Sequence, residues 1–180
     1  MGLAHPNWPR ALPTWLVVGA ATLGPIGRLL PAPGTWGSLV GVGAVAGILL
    51  GFNEGIGPAV LLAAGAVGGL WAVGICGEAE VRIGKQDPGE VILDEFVAMP
   101  WCFLGWPVLL GVWPAWVVLA LGFGFFRFFD ILKPLGIARL QGLPAGWGVV
   151  VDDVAAALAT CAALHAAQLI WQLVWAGPAH

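Results

Sequence analysis

Apolar residues run along this chain in long blocks, and the polar residues between them are few. The blocks cover Ser38–Phe52, Pro58–Cys76, Phe96–Leu110, Ala115–Phe129 and Val149–Trp175. Crossing about 30 Å of hydrocarbon takes roughly 20 mostly apolar helical residues. The blocks therefore predict an all-α, polytopic membrane bundle of about five spanning helices, with the first and third short unless the third continues a helix that starts earlier. A sixth stretch, Leu12–Leu30, is interrupted by Gly24-Pro25 and holds Arg28, so it is expected to be interfacial or re-entrant. The expected organisation is an N-terminal tail over 1–11 and one membrane domain over 12–177.

Composition agrees with that pattern. The chain is 59% hydrophobic and 9% charged, far from the soluble range. Its net charge of -3 comes with no basic patch, which excludes a nucleic-acid role. Cys76, Cys102 and Cys161 are too scattered for a metal knuckle and read as small apolar packing residues. No signal peptide is visible in Met1–Pro13, so insertion is expected to rely on the helices themselves.

Charge then orients the bundle. Arg10, Arg28, Arg82, Lys85, Arg127, Lys133 and Arg139 all fall in regions that share one side if there are five spans. The opposite connections, "NEGIG" and "GVWPAW", have no Lys or Arg, which places the charged face in the cytoplasm of a cell inner membrane and the C-terminus outside. Every acid except Glu54 lies on that charged face.

The acids recur at apolar helix ends. "DPGEVILDEFVAM" reads as a helix start, with Asp87 as N-cap, Pro88 at the first helical position and Glu90 in a capping box. Asp94 and Glu95 would then lie in the second turn, too late to cap anything. "VVVDDVAAA" repeats the arrangement with Asp152 and Asp153. A helix starting at Asp152 makes that residue a cap, whereas a start at Val149 buries both acids at the membrane boundary, where ionisable groups mark function or pairing. "FRFFDILKP" adds Arg127 and Asp130 on one helical face, with Lys133 before Pro134. An Arg127–Asp130 ion pair would account for that segment structurally.

Together Asp94, Glu95, Asp130, Asp152 and Asp153 repel one another unless a hard divalent cation sits among them, and magnesium commonly shares its sphere with substrate phosphate. Arg127, Lys133 and Arg139 would hold the remaining phosphate oxygens. In "LLPAPGTWGSLVG", Pro33-Gly34 reads as a turn, and Thr35 and Ser38 lead into a helix whose free N–H groups could bind phosphate, with Ser38 also a credible N-cap. Two decoys fall away. Cys76 and Arg82 have the spacing of a cysteine phosphatase loop, but Glu78 and Glu80 between them would repel phosphate. His165 is thirteen residues past Asp152, about 20 Å along a helix and out of reach.

In order and spacing, "PGTWGS", "DPGEVILDEFVAM", "FRFFDILKPLGI" and "GWGVVVDDVAAAL" resemble the phosphatidylglycerophosphatase A family. The resemblance covers roughly Pro31–Leu158. It implies a helical membrane enzyme that removes the terminal phosphate of phosphatidylglycerophosphate to give phosphatidylglycerol, with magnesium as cofactor. Carried over, it points to Asp94, Glu95, Arg127, Asp130, Lys133, Asp152 and Asp153. On this reading the metal is held by Asp94, Asp130, Asp152 and Asp153, and Glu95 is first choice for the base. The substrate's acyl chains stay in the bilayer. A CDP-alcohol phosphatidyltransferase would use the same ingredients, but its Asp-Gly-x2-Ala-Arg core is absent. A small cation channel or transporter would want acids on both faces or at mid-membrane. Nothing in the sequence sets an oligomeric state.

Overall fold

The computed structural model describes residues 6–134, 136–144 and 146–175. The first five residues of the expected tail, and 176–177 at the expected end of the domain, lie outside them. The described residues form helices and no strand: α1 (Thr14–Ala21), α2 (Ile26–Leu29), α3 (Pro33–Gly51), α4 (Gly57–Ile83), α5 (Leu93–Cys102), α6 (Trp106–Leu110), α7 (Ala115–Leu132) and α8 (Gly146–Trp175). Short 3-10 turns cover Trp8–Ala11 and Ile137–Gly142.

Among the described residues, α3, α4, α7 and α8 are long and apolar enough to cross a membrane. The third apolar block does not make a fifth such helix. It is divided between α5 and α6, because Pro100 lacks an N–H inside α5 and Gly105, at φ 73°, turns the chain left-handed before Pro107. The divided segment still runs antiparallel along α4. Trp101 packs over Gly65, and Trp106 packs over Gly57 at the start of α4. A break in lipid must find other partners for the backbone groups it frees. Here the Leu104 carbonyl lies 2.9 Å from His165 Nε2 and accepts from Cys161 Sγ at 3.5 Å. His165 therefore has a structural task, far from the acids.

The Leu12–Leu30 stretch holds only α1 and α2, too short to span, as expected of an interfacial or re-entrant segment. Arg82 at the end of α4 ties the N-terminal segment down, donating to the carbonyls of Leu12 (2.8 Å) and Pro9 (3.2 Å) while pairing with Glu78 (2.9 Å). Cys76 is fully buried in α4, so the Cys76–Arg82 spacing forms no phosphate loop. Helix α4 ends in a left-handed Gly84 at φ 76°, whose N–H reaches the Glu80 carbonyl.

The core lies around α5, which packs against α3, α4 and α8. Gly41 of α3 admits Met99, and Gly146 at the start of α8 lies against the backbone of Val73 and Gly77 in α4. The starts of α3, α5 and α8 and the ends of α4 and α7 thus meet at one end of the bundle, together with the charged residues.

Candidate active site

Four aspartates at that end are buried: Asp94 (6% exposed), Asp130 (8%), Asp152 (2%) and Asp153 (3%). They line one cavity of 240 Å³ with Asp87, Glu95, Arg127, Lys133 and residues 32–35. The cavity brings together Asp94, Glu95, Arg127, Asp130, Lys133, Asp152, Asp153 and Thr35 from the sequence reading. It does not bring Arg139, which is exposed on the 3-10 turn after α7. Sequence reasoning missed Asp87 as a lining residue.

Helix starts decide what these acids do. Helix α8 is already formed at Gly146, so Asp152 and Asp153 lie well inside it and neither is a cap. Helix α5 begins at Leu93 and not near Asp87, because Asp87 takes φ 45° and residues 84–92 form a loop. Asp87 therefore caps no helix; its N–H donates to Glu80 Oε1 at 2.7 Å. Asp94 and Glu95 fall in the first turn of α5, with the favourable helix dipole beside them.

Ser38 and Pro33-Gly34 also differ from the sequence reading. Helix α3 starts at Pro33, so Pro33-Gly34 is helix rather than turn, and Ser38 sits inside it. The Ser38 hydroxyl is fully buried, donates to the Gly34 carbonyl (2.9 Å) and accepts from Arg127 Nη1 (3.2 Å). It orients Arg127 and does not line the cavity. The same Nη1 pairs with Glu95 Oε1 at 3.1 Å and Asp130 Oδ2 at 2.9 Å. The Arg127–Asp130 pair is thus present, but as one arm of a network that joins α3, α5 and α7. Lys133 bridges to Asp130 (3.7 Å) and to Asp152, joining α7 to α8. Burial works against the Lys133 charge, but the hydrogen bond to Asp152 and the surrounding carboxylates prevail and raise its pKa above the usual lysine value.

Backbone strain marks the same place. Four described residues other than glycine have positive φ, and three of them, Ala32 (51°), Asp87 (45°) and Lys133 (42°), line this cavity. Each costs of order 1–3 kcal/mol, and such residues cluster at functional sites. At Lys133, where helices commonly place glycine, the left-handed turn delivers the ammonium to Asp152.

The carboxylates are not fully satisfied. Asp94 Oδ1, Glu95 Oε2, Asp152 Oδ1 and Asp153 Oδ2 are buried with no hydrogen-bond donor. Each such atom costs about 1–3 kcal/mol or more if left unpaired. They are hard oxygen donors of the kind magnesium takes. As they stand, no three acidic, His or Cys side chains among the described residues converge closely enough to enclose an ion by themselves.

Gly34 and Gly37 let α3 lie directly on the Glu95 carboxylate, and a methyl on Gly34 would overlap Glu95 Oε1. That oxygen is the end of a flexible side chain, so Gly34→Ala should displace Glu95 from Arg127 at little cost in folding. The expected result is an unchanged melting temperature with kcat lowered roughly 10- to 100-fold, as for a small misplacement at a reacting centre. Unchanged kcat would remove Glu95 from the working network.

The chain resembles known proteins over most of its length. The sequence model of the family described as Phosphatidylglycerophosphatase A matches residues 19–168. A relative from Haemophilus influenzae named phosphatidylglycerophosphatase A is 34% identical over 148 residues, covering 82% of this chain and 85% of its own. One of the same name from Escherichia coli is 28% identical, with 55% of each chain covered. A putative phosphatidylinositol-3-phosphatase from Bacteroides thetaiotaomicron is 41% identical over 76 residues, 39% of this chain and 43% of its own. No solved structure matches.

Proposed function

Because the chain belongs to the phosphatidylglycerophosphatase A family of membrane phosphatases, we propose that this cavity hydrolyses phosphatidylglycerophosphate to phosphatidylglycerol and phosphate, with magnesium, at the cytoplasmic face of the inner membrane. The observation that carries the reading is the set of buried carboxylate oxygens without donors beside two fixed cations, Arg127 and Lys133.

Asp94, Asp152 and Asp153 supply the free oxygens that would hold magnesium. The ion commonly binds through one or two carboxylates, waters and substrate phosphate, which suits acids that do not close around it unaided. When bound, it neutralises charge on the phosphoryl oxygens. Arg127 and Lys133 hold those oxygens in place and stabilise the charge they carry as the phosphoryl group transfers to water. Thr35 borders the same space at the start of α3, where Pro33 has no N–H and the Thr35 N–H donates to the Ala32 carbonyl at 2.9 Å, so the Thr35 hydroxyl is what this turn offers the phosphate. Glu95 orients the Arg127 guanidinium through Oε1 and keeps Oε2 free. A carboxylate with a free oxygen, Glu95, Asp94 or Asp153, accepts the proton of the attacking water.

The cytoplasmic placement is supported by the described cations lying at the cavity's end of the bundle and by Glu54 alone at the other. The test is phosphate release by purified protein in mixed micelles, with magnesium, with chelator, and with magnesium restored. Release that needs magnesium and returns with it is expected. Full activity in chelator would remove the metal from the proposal, and no release in any arm would overturn the substrate.

A further inference from the structure

A second cavity adjoins the first. It measures 390 Å³ and is lined by Glu80, Gln86, Asp87, Gln141, Leu143, Gly148 and Val149. Asp87 and Val149 border both spaces, so the two meet at Asp87. They differ in their cations. The first holds Arg127 and Lys133, while the described lining of the second holds carboxylates and amides with no lysine or arginine. Only the first offers a phosphate dianion cations, Arg127 and Lys133 and the magnesium proposed above; the second offers it none.

Whatever is covalently attached to that phosphate must lie beside it. Glutamine amides offer both donors and acceptors and a carboxylate offers acceptors, which matches the hydroxyls of a neutral polyol. The Glu80 carboxylate is partly committed, since Oε1 accepts the Asp87 N–H at 2.7 Å. The wall is also held in place. The loop carrying Gln86 and Asp87 is tied to α4 by that bond and, at its other end, to α1 by Ile92 N–H donating to the Ala21 carbonyl at 2.9 Å. Gly27 of α2 lies against the Glu90 carbonyl, where any side chain would overlap it. A loop fixed at both ends loses little further freedom when a ligand binds.

We propose that this second cavity is a headgroup subsite, in which Gln86, Asp87 and Gln141 hydrogen-bond a hydroxyl on the carbon chain that carries the scissile phosphate, and so set headgroup preference. The proposal rests on the phosphatase reading and goes beyond it, because phosphate hydrolysis needs only the first cavity.

The experiment compares three lipids as substrates in the same micelles: phosphatidylglycerophosphate, an analogue lacking the free hydroxyl of the phosphorylated glycerol, and one with an amine in that position. Each is assayed with wild type, Gln86→Leu, Gln141→Leu and the double variant. Wild type is expected to favour the hydroxyl lipid over the deoxy analogue by roughly tenfold or more in kcat/KM, because a site built to bond a hydroxyl discriminates against its absence. The double variant should bring that ratio to within about threefold, by the same reasoning. The ratio is measured on one preparation and does not depend on how much of it is folded. Equal use of the hydroxyl and deoxy lipids by wild type would overturn the subsite and leave the phosphatase standing. So would a full preference in the double variant, or a preference for the amine. Turnover of none of the lipids would overturn both readings.

Discussion

Asp153→Asn and Asp94→Asn are each expected to lower phosphate release by roughly 10²–10⁴-fold, the range for losing a positioned acid–base group, while leaving the melting temperature equal or higher. The two halves of that result have one cause. Both side chains are buried in α8 and α5 beside other acids, and each has an oxygen that no protein donor reaches. Asparagine keeps the volume, removes the charge and adds a donor beside carboxylate oxygens that Arg127 and Lys133 do not reach. Repulsion and unpaired burial are thereby relieved, and the cluster is easier to fold. The same relief removes the free anionic oxygens that the chemistry uses. Phosphate release and thermal unfolding in the same detergent check the prediction together. Wild-type activity in both variants would overturn the site, and a collapse in melting temperature would show that the acids serve folding instead.

Gly146→Ala carries the second large effect, through backbone rather than charge. A methyl at Gly146 would overlap the Val73 carbonyl oxygen and come within 2.7 Å of Gly77 N. Both obstacles are main chain inside α4, so no rotamer change clears them and the start of α8 must move away. Overpacking of this kind typically costs about 1–3 kcal/mol. Asp152 and Asp153 ride on the next turns of α8, so their displacement should also lower kcat by up to ~10²-fold. Gly43→Ala is the control. Gly43 is an exposed residue of α3 with nothing within 4 Å, and there the better helix former should be neutral or stabilising. Equal melting temperatures for the two variants would mean that α4 and α8 do not meet as closely as described.

The acids were legible in the sequence because each stands out in an apolar chain, and Asp94, Glu95, Asp130, Asp152 and Asp153 indeed share one cavity. Helix starts were less so. Asp87-Pro88 has the composition of a helix N-terminus, yet the left-handed backbone of Asp87 turns it into a loop corner, and local composition does not reveal a φ set by Glu80 from seven residues earlier. Ser38 suffered the reverse error. Pro33-Gly34 looks like a turn, but Pro is equally at home at the first helical position, and that start moves Ser38 from the cap to the interior. The third apolar block reads as short unless it continues a helix begun near Asp87; that helix begins only at Leu93, and the division at Pro100 and Gly105 relies on Cys161 and His165, about sixty residues on, as partners of the freed Leu104 carbonyl. Arg139 was grouped with Arg127 and Lys133 by proximity in sequence, and the 3-10 turn after Pro134 carries it away.

Helix α8 has 30 residues and so extends about 45 Å, against a hydrocarbon slab of about 30 Å. That surplus leaves room for its first turns, with Asp152 and Asp153, to stand outside the acyl region, at the level of the phosphates. A lipid held in its leaflet presents its headgroup at a height fixed by the thickness of that leaflet, and the acids wait at a height fixed by the length of a rigid rod. The match between the two is a dimension the protein shares with its membrane, so the bilayer acts as a ruler for catalysis as well as a solvent for the fold.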